Sequence, residues 1–274
     1  MCEVIALRAL VQTVKTSEFE MDYVHFGAGS HVLVVLPGMS LKSVLSWAEA
    51  ILVSYKLLAE YFQIYLMDRR RKFPDHYSVE GMARDTVAAL QALGVAKASF
   101  FGASQGGMMA QVIAAEHPEM TEKIILGSSA CRTIGRSIPL FENWEKWSLA
   151  ADLDSLVSNY IDVIYSPELG QKIKPTLVKL NADATPEELS RFAVMARACL
   201  NFDYVADLPK IKCPVLVLGS RLDKVFYEAS ILEVAERLKA VGNTPEVYLY
   251  EKYGHACYDE APDYRARMLD FLEH

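Results

Sequence analysis

The stretch that decides the fold is Phe100-Phe101-Gly102-Ala103-Ser104-Gln105-Gly106-Gly107. The apolar run 98–101 predicts a buried strand, and a helical run, 108–115, follows almost at once. Between them lies G-x-S-x-G, which is typical of a sharp, strained bend from a strand into a helix. Its two outer glycines are the small neighbours that such a bend needs, and the helix directs free N–H groups at Ser104. A glycine-rich turn with an incidental serine has the same sequence, so other residues must decide between the two.

Length and composition indicate one large α/β domain, or a core domain with an insertion. The chain has 274 residues and a net charge of −7, which argues against nucleic-acid binding because that needs a basic surface. No apolar run approaches the ~18 residues that cross a bilayer, and residues 1–8 lack the pattern of a signal peptide. Five scattered cysteines without C-x-x-C spacing favour neither a zinc site nor a disulfide framework. We therefore expect a cytoplasmic protein that needs no metal and no cofactor.

Apolar runs and helical runs alternate along most of the chain, which predicts βαβ units and a mostly parallel sheet. The chain begins with an expected hairpin over 9–27. Six further strands are expected at 31–36, 63–67, 98–101, 123–127, 214–219 and 246–250. Helices are expected at 42–61, 78–93, 108–115, 227–240 and 261–272. Ser78 is the expected start of the second helix, and Gly94 its expected stop.

The alternation stops between residues 130 and 209, where no buried strand is expected. Helical patterns cover 141–151, 154–165, 169–180 and 186–200. Pro175 is expected to break the third helix, whereas Thr185 and the proline after it resemble the start of the fourth. About eighty residues exceed an ordinary connection between strands. The sequence therefore predicts a helical lid subdomain, 131–206, on a core made of 1–130 and 207–274.

The order of these elements and of four motifs resembles the α/β-hydrolase fold family, in particular its lidded esterases, lactonases and C–C hydrolases. Each motif follows a predicted strand: Pro37-Gly38-Met39, Gly102-Ala103-Ser104-Gln105-Gly106, Gly219-Ser220-Arg221-Leu222-Asp223 and Tyr253-Gly254-His255. In that family the nucleophile, the acid and the histidine follow one another along the chain. The resemblance therefore implies a catalytic triad of Ser104, Asp223 and His255. It also implies an eight-stranded, mostly parallel sheet with helices on both faces and a helical lid.

Physical chemistry favours the same three residues. Reacting groups gather beyond the carboxyl ends of parallel strands, and each of the three follows such a strand. A serine hydroxyl needs an imidazole to take its proton, and the imidazole needs a carboxylate to fix its tautomer. Asp68, at the end of another strand, is the rival acid, and His76 is the rival histidine that can reach the site.

The expected oxyanion hole uses two main-chain N–H groups. Gln105, the residue after the nucleophile, is expected to supply one of them, and by resemblance Met39 supplies the other. The chain departs from the family here, because the usual His-Gly pair is Pro37-Gly38. Gly38 and Ser40 therefore remain alternatives to Met39.

A second departure from the family follows the strand 63–67. A loop with glycine is common there, whereas this chain has Asp68-Arg69-Arg70-Arg71-Lys72. The cations either attract an anionic substrate or lie in a solvated loop and pair with nearby acids. The second interpretation is favoured.

These observations lead us to expect a serine hydrolase that cleaves a small ester, thioester or lactone through an acyl-enzyme. C–C bond hydrolysis, aminopeptidase activity and acyl transfer use the same residues and remain open. A ligand receptor or signalling module is the alternative from another class, since the fold alone does not separate it from an enzyme. The expected partner is a small molecule, with no nucleic acid and no membrane span, and the expected assembly is a monomer or homodimer.

Overall fold

One twisted sheet organises the chain. The structure is a computed structural model that describes residues 10–274; the segment 1–9, with Cys2 and the expected lack of a signal peptide, lies outside the described residues. Within 10–274 the sheet has eight strands in the order β1-β2-β4-β3-β5-β6-β7-β8. They are β1 (Val11–Lys15), β2 (Glu20–Phe26), β3 (His31–Leu36), β4 (Phe62–Arg70), β5 (Ala98–Ala103), β6 (Thr121–Gly127), β7 (Val215–Ser220) and β8 (Glu246–Tyr250).

The direction of the strands determines where the site can form. β1 and β2 pair antiparallel, as do β2 and β4, whereas all pairings from β4 to β8 are parallel. The carboxyl ends of six strands therefore lie at one edge of the sheet. This topology confirms the predicted mostly parallel eight-stranded sheet.

Helices cover both faces of the sheet, as expected. The central strand β5 is buried along its whole length, with Phe100 packed on one face and Phe101 on the other. The helices of the first face are α3 (Val79–Ala92), α4 (Gln105–Glu116) and α9 (Glu228–Ala240). Those of the second are α1 (Ala48–Ser54), α2 (Lys56–Ala59) and α11 (Tyr264–Glu273), and the short α10 (Cys257–Glu260) precedes α11.

The segment 128–214, all of it described, contains four α-helices between β6 and β7. These are α5 (Ser137–Leu149), α6 (Leu153–Ile164), α7 (Pro167–Asn181) and α8 (Pro186–Leu200). A 3-10 turn, Leu208–Lys210, leads back to the sheet. Thr185 and Glu188 cap α8 reciprocally, so that free N–H groups at its start are satisfied. No helix within residues 10–274 is long and apolar enough to cross a membrane.

Three expected elements differ in the structure. The helix expected over 42–61 is interrupted, because Tyr55 leaves helical geometry at a ψ of 7° and packs its ring against Phe101. The fourth strand continues to Arg70, which pairs with Met21 of β2. Helix α7 runs through Pro175 without a break. Proline removes one helical hydrogen bond, and the carbonyl that loses its donor lies on an exposed turn where water can bond it.

Candidate active site

Ser104 lies on a strained turn between β5 and α4. Its φ of 53° is unusual for any residue other than glycine. Gly102 and Gly106 leave no room for a side chain, because an added Cβ would lie 2.2 Å and 2.0 Å from main-chain oxygens. The Ser104 N–H donates to Gly127 O at 2.7 Å, and Ser129 Oγ donates to Ser104 O at 2.8 Å. The turn is therefore held from both sides, and the serine stays 8% exposed.

Asp223 and His255 form a buried pair at the same sheet edge. Asp223 follows β7 and His255 follows β8, and their exposed fractions are 2% and 0%. His255 Nδ1 lies 2.8 Å from Asp223 Oδ2. The other carboxylate oxygen accepts the N–H groups of Val225 and Phe226, at 2.8 Å and 3.0 Å. Because a carboxylate only accepts, Nδ1 carries the proton and Nε2 keeps its lone pair.

The serine and the histidine do not form a hydrogen bond. His255 Nε2 is buried and has no hydrogen-bond partner among residues 10–274. The segment after His255 contacts the loop after β6, since Cys257 Sγ lies 3.3 Å from Ser128 Oγ, and the neighbours of Ser128, Gly127 and Ser129, hold the Ser104 backbone. A catalytic hydrogen bond is often long in an empty site and shortens when substrate binds. An orphaned ring nitrogen at this position is an available base.

The loop after β3 lies against the serine. A Cβ added to Gly38 would lie 3.2 Å from Ser104 Cβ, so only a residue without a side chain fits easily. Within the described chain, the N–H groups of Met39 and Gln105 donate to no protein acceptor. The same is true of Gly38 and Ser40, so these alternatives to Met39 stay open.

The three arginines after the predicted strand 63–67 make different contacts. Arg71 is half-exposed and pairs with Glu20 and Asp22, both at 2.8 Å. Arg70 lies 3.4 Å from Asp85. These pairs match the interpretation of cations bonded to nearby acids.

Arg69 is different, because it lies within β4 and is only 3% exposed. Its side chain reaches the loop after β3 and the side chain of Gln105. Sequence reasoning missed this residue. No local signal would have found it, because the predicted strand ended at residue 67 and the pairing of β4 with β2 is irregular between Met67 and Arg70.

Among residues 10–274, the rival residues Asp68 and His76 make no contact that would place them in the site. Asp68 accepts the Ser43 hydroxyl at 2.5 Å and the Arg69 N–H at 2.7 Å. His76 is exposed. Neither forms a hydrogen bond to Ser104 or His255 in the part of the chain that the structure describes. Across the same residues, no three His, Cys, Asp or Glu side chains cluster in a way that would hold a metal ion.

The helical segment 131–206 contacts both loops of the site. Tyr160 Oη donates to Met39 O at 2.8 Å, and burial raises the pKa of this phenol, which keeps it a donor. On the histidine side, Ala256 N–H donates to Ile164 O at 2.8 Å. The Glu260 carboxylate accepts both the N–H and the hydroxyl of Ser166.

Aromatic rings lie beside the histidine, and a cavity lies next to the site without including Ser104, Asp223 or His255. The rings of Phe226 and Tyr258 lie 5.8 Å and 6.2 Å from the His255 ring, measured between centroids. A cavity of about 300 Å³ lies between α8 and the end of β4. Arg69 and Met195 line this cavity, and Ser104 does not.

The sheet, its parallel strands and the helices on both faces are those of the α/β-hydrolase fold. The chain belongs to the alpha/beta hydrolase family, whose sequence model matches residues 33–267. The protein provisionally named carbamate hydrolase RutD from Agrobacterium fabrum is 24% identical over 258 residues, which cover 90% of this chain and 97% of the relative.

Solved structures agree with the fold. MGS-M2, an alpha/beta hydrolase enzyme from a Medee basin deep-sea metagenome library, superposes with a TM-score of 0.85 at 23% identity, covering 96% of this chain and 98% of the other. The enol-lactonase from Burkholderia xenovorans superposes with a TM-score of 0.81 at 20% identity, covering 96% and 100%. At such identities the likeness shows the fold and not the substrate.

Proposed function

We propose that this family member is a serine hydrolase that cleaves a small ester, thioester or lactone through an acyl-enzyme intermediate. The observation that carries the proposal is the buried His255–Asp223 pair, whose free Nε2 faces no protein partner within residues 10–274. Ser104 sits at the same sheet edge on the strained turn that this chemistry uses. Asp223, His255 and Ser104 are the proposed triad.

In the proposed reaction, His255 Nε2 takes the Ser104 proton while Oγ attacks the carbonyl carbon. The carbonyl π bond becomes an oxyanion, which accepts the N–H groups of Gln105 and Met39. Collapse of this intermediate breaks the bond to the leaving oxygen or sulfur, which receives the proton from the imidazolium. Water then attacks the acyl-enzyme by the same steps and releases the acid. Asp223 holds the tautomer and stabilises the imidazolium throughout.

The packing around the site favours a small substrate. Phe226 and Tyr258 flank the histidine, and Tyr160 packs between Trp144 and Phe192 with ring centroids 5.4 Å and 6.0 Å away. These rings lie beside His255 and beside the hydroxyl that donates to Met39 O, which supports a short acyl group over a long one. The names of similar proteins, a carbamate hydrolase and an enol-lactonase, are consistent with a carbonyl substrate.

The segment 131–206 is proposed to act as the lid, on a core formed by 1–130 and 207–274. Its support is the pair of hydrogen bonds that join α6 to the Met39 carbonyl and to the loop of His255. Through these contacts the lid would exclude water from the reacting groups and select the substrate.

The test is turnover of p-nitrophenyl acetate, butyrate and octanoate by the wild type and by Ser104→Ala. We expect steady turnover that favours the short esters and is lost in the variant. A fluorophosphonate should label Ser104, as found by peptide mapping. Labelling of another residue, or turnover that survives the substitution, would contradict the proposed site. Tight ligand binding with at most one slow turnover would instead favour the receptor.

A further inference from the structure

Arg69 is a buried cation that bonds only to uncharged groups. Its Nη2 donates to Pro37 O and to Gln105 Oε1, both at 2.8 Å, and its Nη1 donates to Gly38 O at 3.2 Å. The guanidinium makes no ion pair with any described acid, and the neighbouring Asp68 accepts its main-chain N–H instead. Burying a charge without a countercharge costs free energy, and Nε of the same guanidinium is buried without a partner among the described residues.

The hydrogen bonds to the loop fix the direction of its N–H groups. In a trans peptide the C=O and the N–H point in opposite directions, and residues 10–274 contain no cis peptide. The carbonyls of Pro37 and Gly38 face Arg69, so the N–H groups of Gly38 and Met39 point away from it. Gly38 is also the residue that lies against Ser104. Arg69 therefore determines where this loop presents its donors.

The same guanidinium holds the other half of the proposed oxyanion hole. Gln105 supplies the second main-chain donor, and its fully buried side chain accepts from Arg69. The amide nitrogen of that side chain donates to Met195 O of α8 at 3.0 Å. One cation thus joins the loop, the serine turn and a helix of the proposed lid.

We infer that Arg69 is a positioning residue for the oxyanion hole. It holds the loop 37–39 and the turn at Gln105 at a fixed separation. Its charge also polarises the peptide groups whose N–H groups would donate to the oxyanion. In a water-excluded site such preorganised dipoles act strongly on a developing charge. The inference rests on the proposed function, because an oxyanion forms only if Ser104 attacks a carbonyl.

The test compares Arg69→Ala with the wild type on p-nitrophenyl acetate. We expect kcat to fall about 100-fold, as for loss of one oxyanion donor, while KM changes less than about threefold. A small alkylboronic acid, whose serine adduct carries the same negative charge, should bind less tightly by a similar factor. Arg69 lines the cavity of about 300 Å³, so millimolar guanidinium should enter and restore part of kcat. Methylammonium should not, because it lacks the planar fork.

Arg71→Ala is the matched control. Arg71 lines the same cavity but pairs with Glu20 and Asp22 at the surface, so kcat and boronate binding should stay unchanged. An unchanged kcat in Arg69→Ala overturns the inference. A fall in kcat that accompanies a lower melting temperature and is not restored by guanidinium overturns it as well.

If Arg69→Ala does not fold, Gln105→Leu removes the acceptor of the hydrogen bond from Arg69 to the serine turn. It should lower kcat and weaken boronate binding together, and wild-type values for both would overturn the inference. Absence of Ser104-dependent turnover in the wild type would instead refute the proposed function, so the two failures are distinguishable.

Discussion

At the scale of single residues, Asp223 controls which nitrogen of His255 carries the proton. One carboxylate oxygen holds the imidazole, and the other is fixed by two main-chain N–H groups. The carboxylate therefore cannot turn away without leaving buried donors unpaired. Its position in the hydrogen-bond network, and not its charge alone, makes it the orienting group of the proposed triad.

Asp223→Asn tests this role. The amide can keep its oxygen on the N–H groups of Val225 and Phe226, so its nitrogen must face His255 and donate to Nδ1. The proton then sits on Nε2, and the base is lost. We expect kcat for p-nitrophenyl acetate to fall by about 10³–10⁴, with KM and melting temperature nearly unchanged. A variant that keeps more than a tenth of the wild-type kcat would show that Asp223 does not hold the tautomer.

At the scale of elements, local pattern predicted strands better than helix interruptions. The continuous apolar run of β3 and the capped start of α3 are visible in the sequence because they depend on neighbouring residues. The break at Tyr55 depends on a pocket beside Phe101, a residue far along the chain. The passage of α7 through Pro175 depends on solvent, because that helix has only Gly170 buried. A tertiary contact decided the first feature and solvent exposure the second, and no local signal contained either.

Helix α6 connects the proposed lid to the loop after β3 through one hydroxyl. Tyr160→Phe removes the donor to Met39 O and leaves a buried carbonyl unpaired, which costs about 1–3 kcal/mol of unfolding free energy. We expect kcat to fall several-fold as well, because the Met39 peptide loses one of its supports. Chemical denaturation and ester turnover measure the two effects.

Tyr165→Phe is the matched control for that substitution. Tyr165 ends the same helix, and its hydroxyl bonds to no group in the described part of the chain. It should change neither stability nor kcat by a measurable amount. Equal behaviour of the two variants would mean that the hydroxyl of Tyr160 does not support the loop.

At the scale of the whole molecule, parallel topology brings distant residues to one edge. The sequence predicted this for Ser104, Asp223 and His255, because each follows a strand of the parallel part of the sheet. Their assignment as a triad stays a prediction. The orphaned Nε2 and the bonds of Arg69 could not be predicted, because they depend on how side chains from distant strands and helices pack. The succession of strands and helices along the chain follows from pattern, whereas side-chain contacts between elements require the folded chain.

One ion-pair cluster joins the start of the helical segment to the core. Glu233 on α9 lies 2.6 Å from both Arg132, which follows β6, and Arg237. Burial alone would raise the pKa of Glu233, but hydrogen bonds from the two arginines outweigh it and lower that pKa below its usual 4.5. A carboxyl with a lowered folded pKa stabilises the protein above its unfolded pKa. This stabilisation is lost as the pH falls through the folded value.

Glu233→Gln should therefore be less stable than the wild type by about 1 kcal/mol at pH 7, since the pairs are only partly buried. The difference should shrink as the pH falls below the usual 4.5 and through the lowered folded pKa of Glu233, where the wild-type carboxyl takes up its proton as well. Denaturant unfolding at several pH values measures the difference directly. Glu236→Gln is the control, because Glu236 is exposed on the same helix and forms no ion pair with the described residues. If the Glu233→Gln deficit stays constant down to pH 3, the loss of stability comes from altered packing and not from the charge of Glu233.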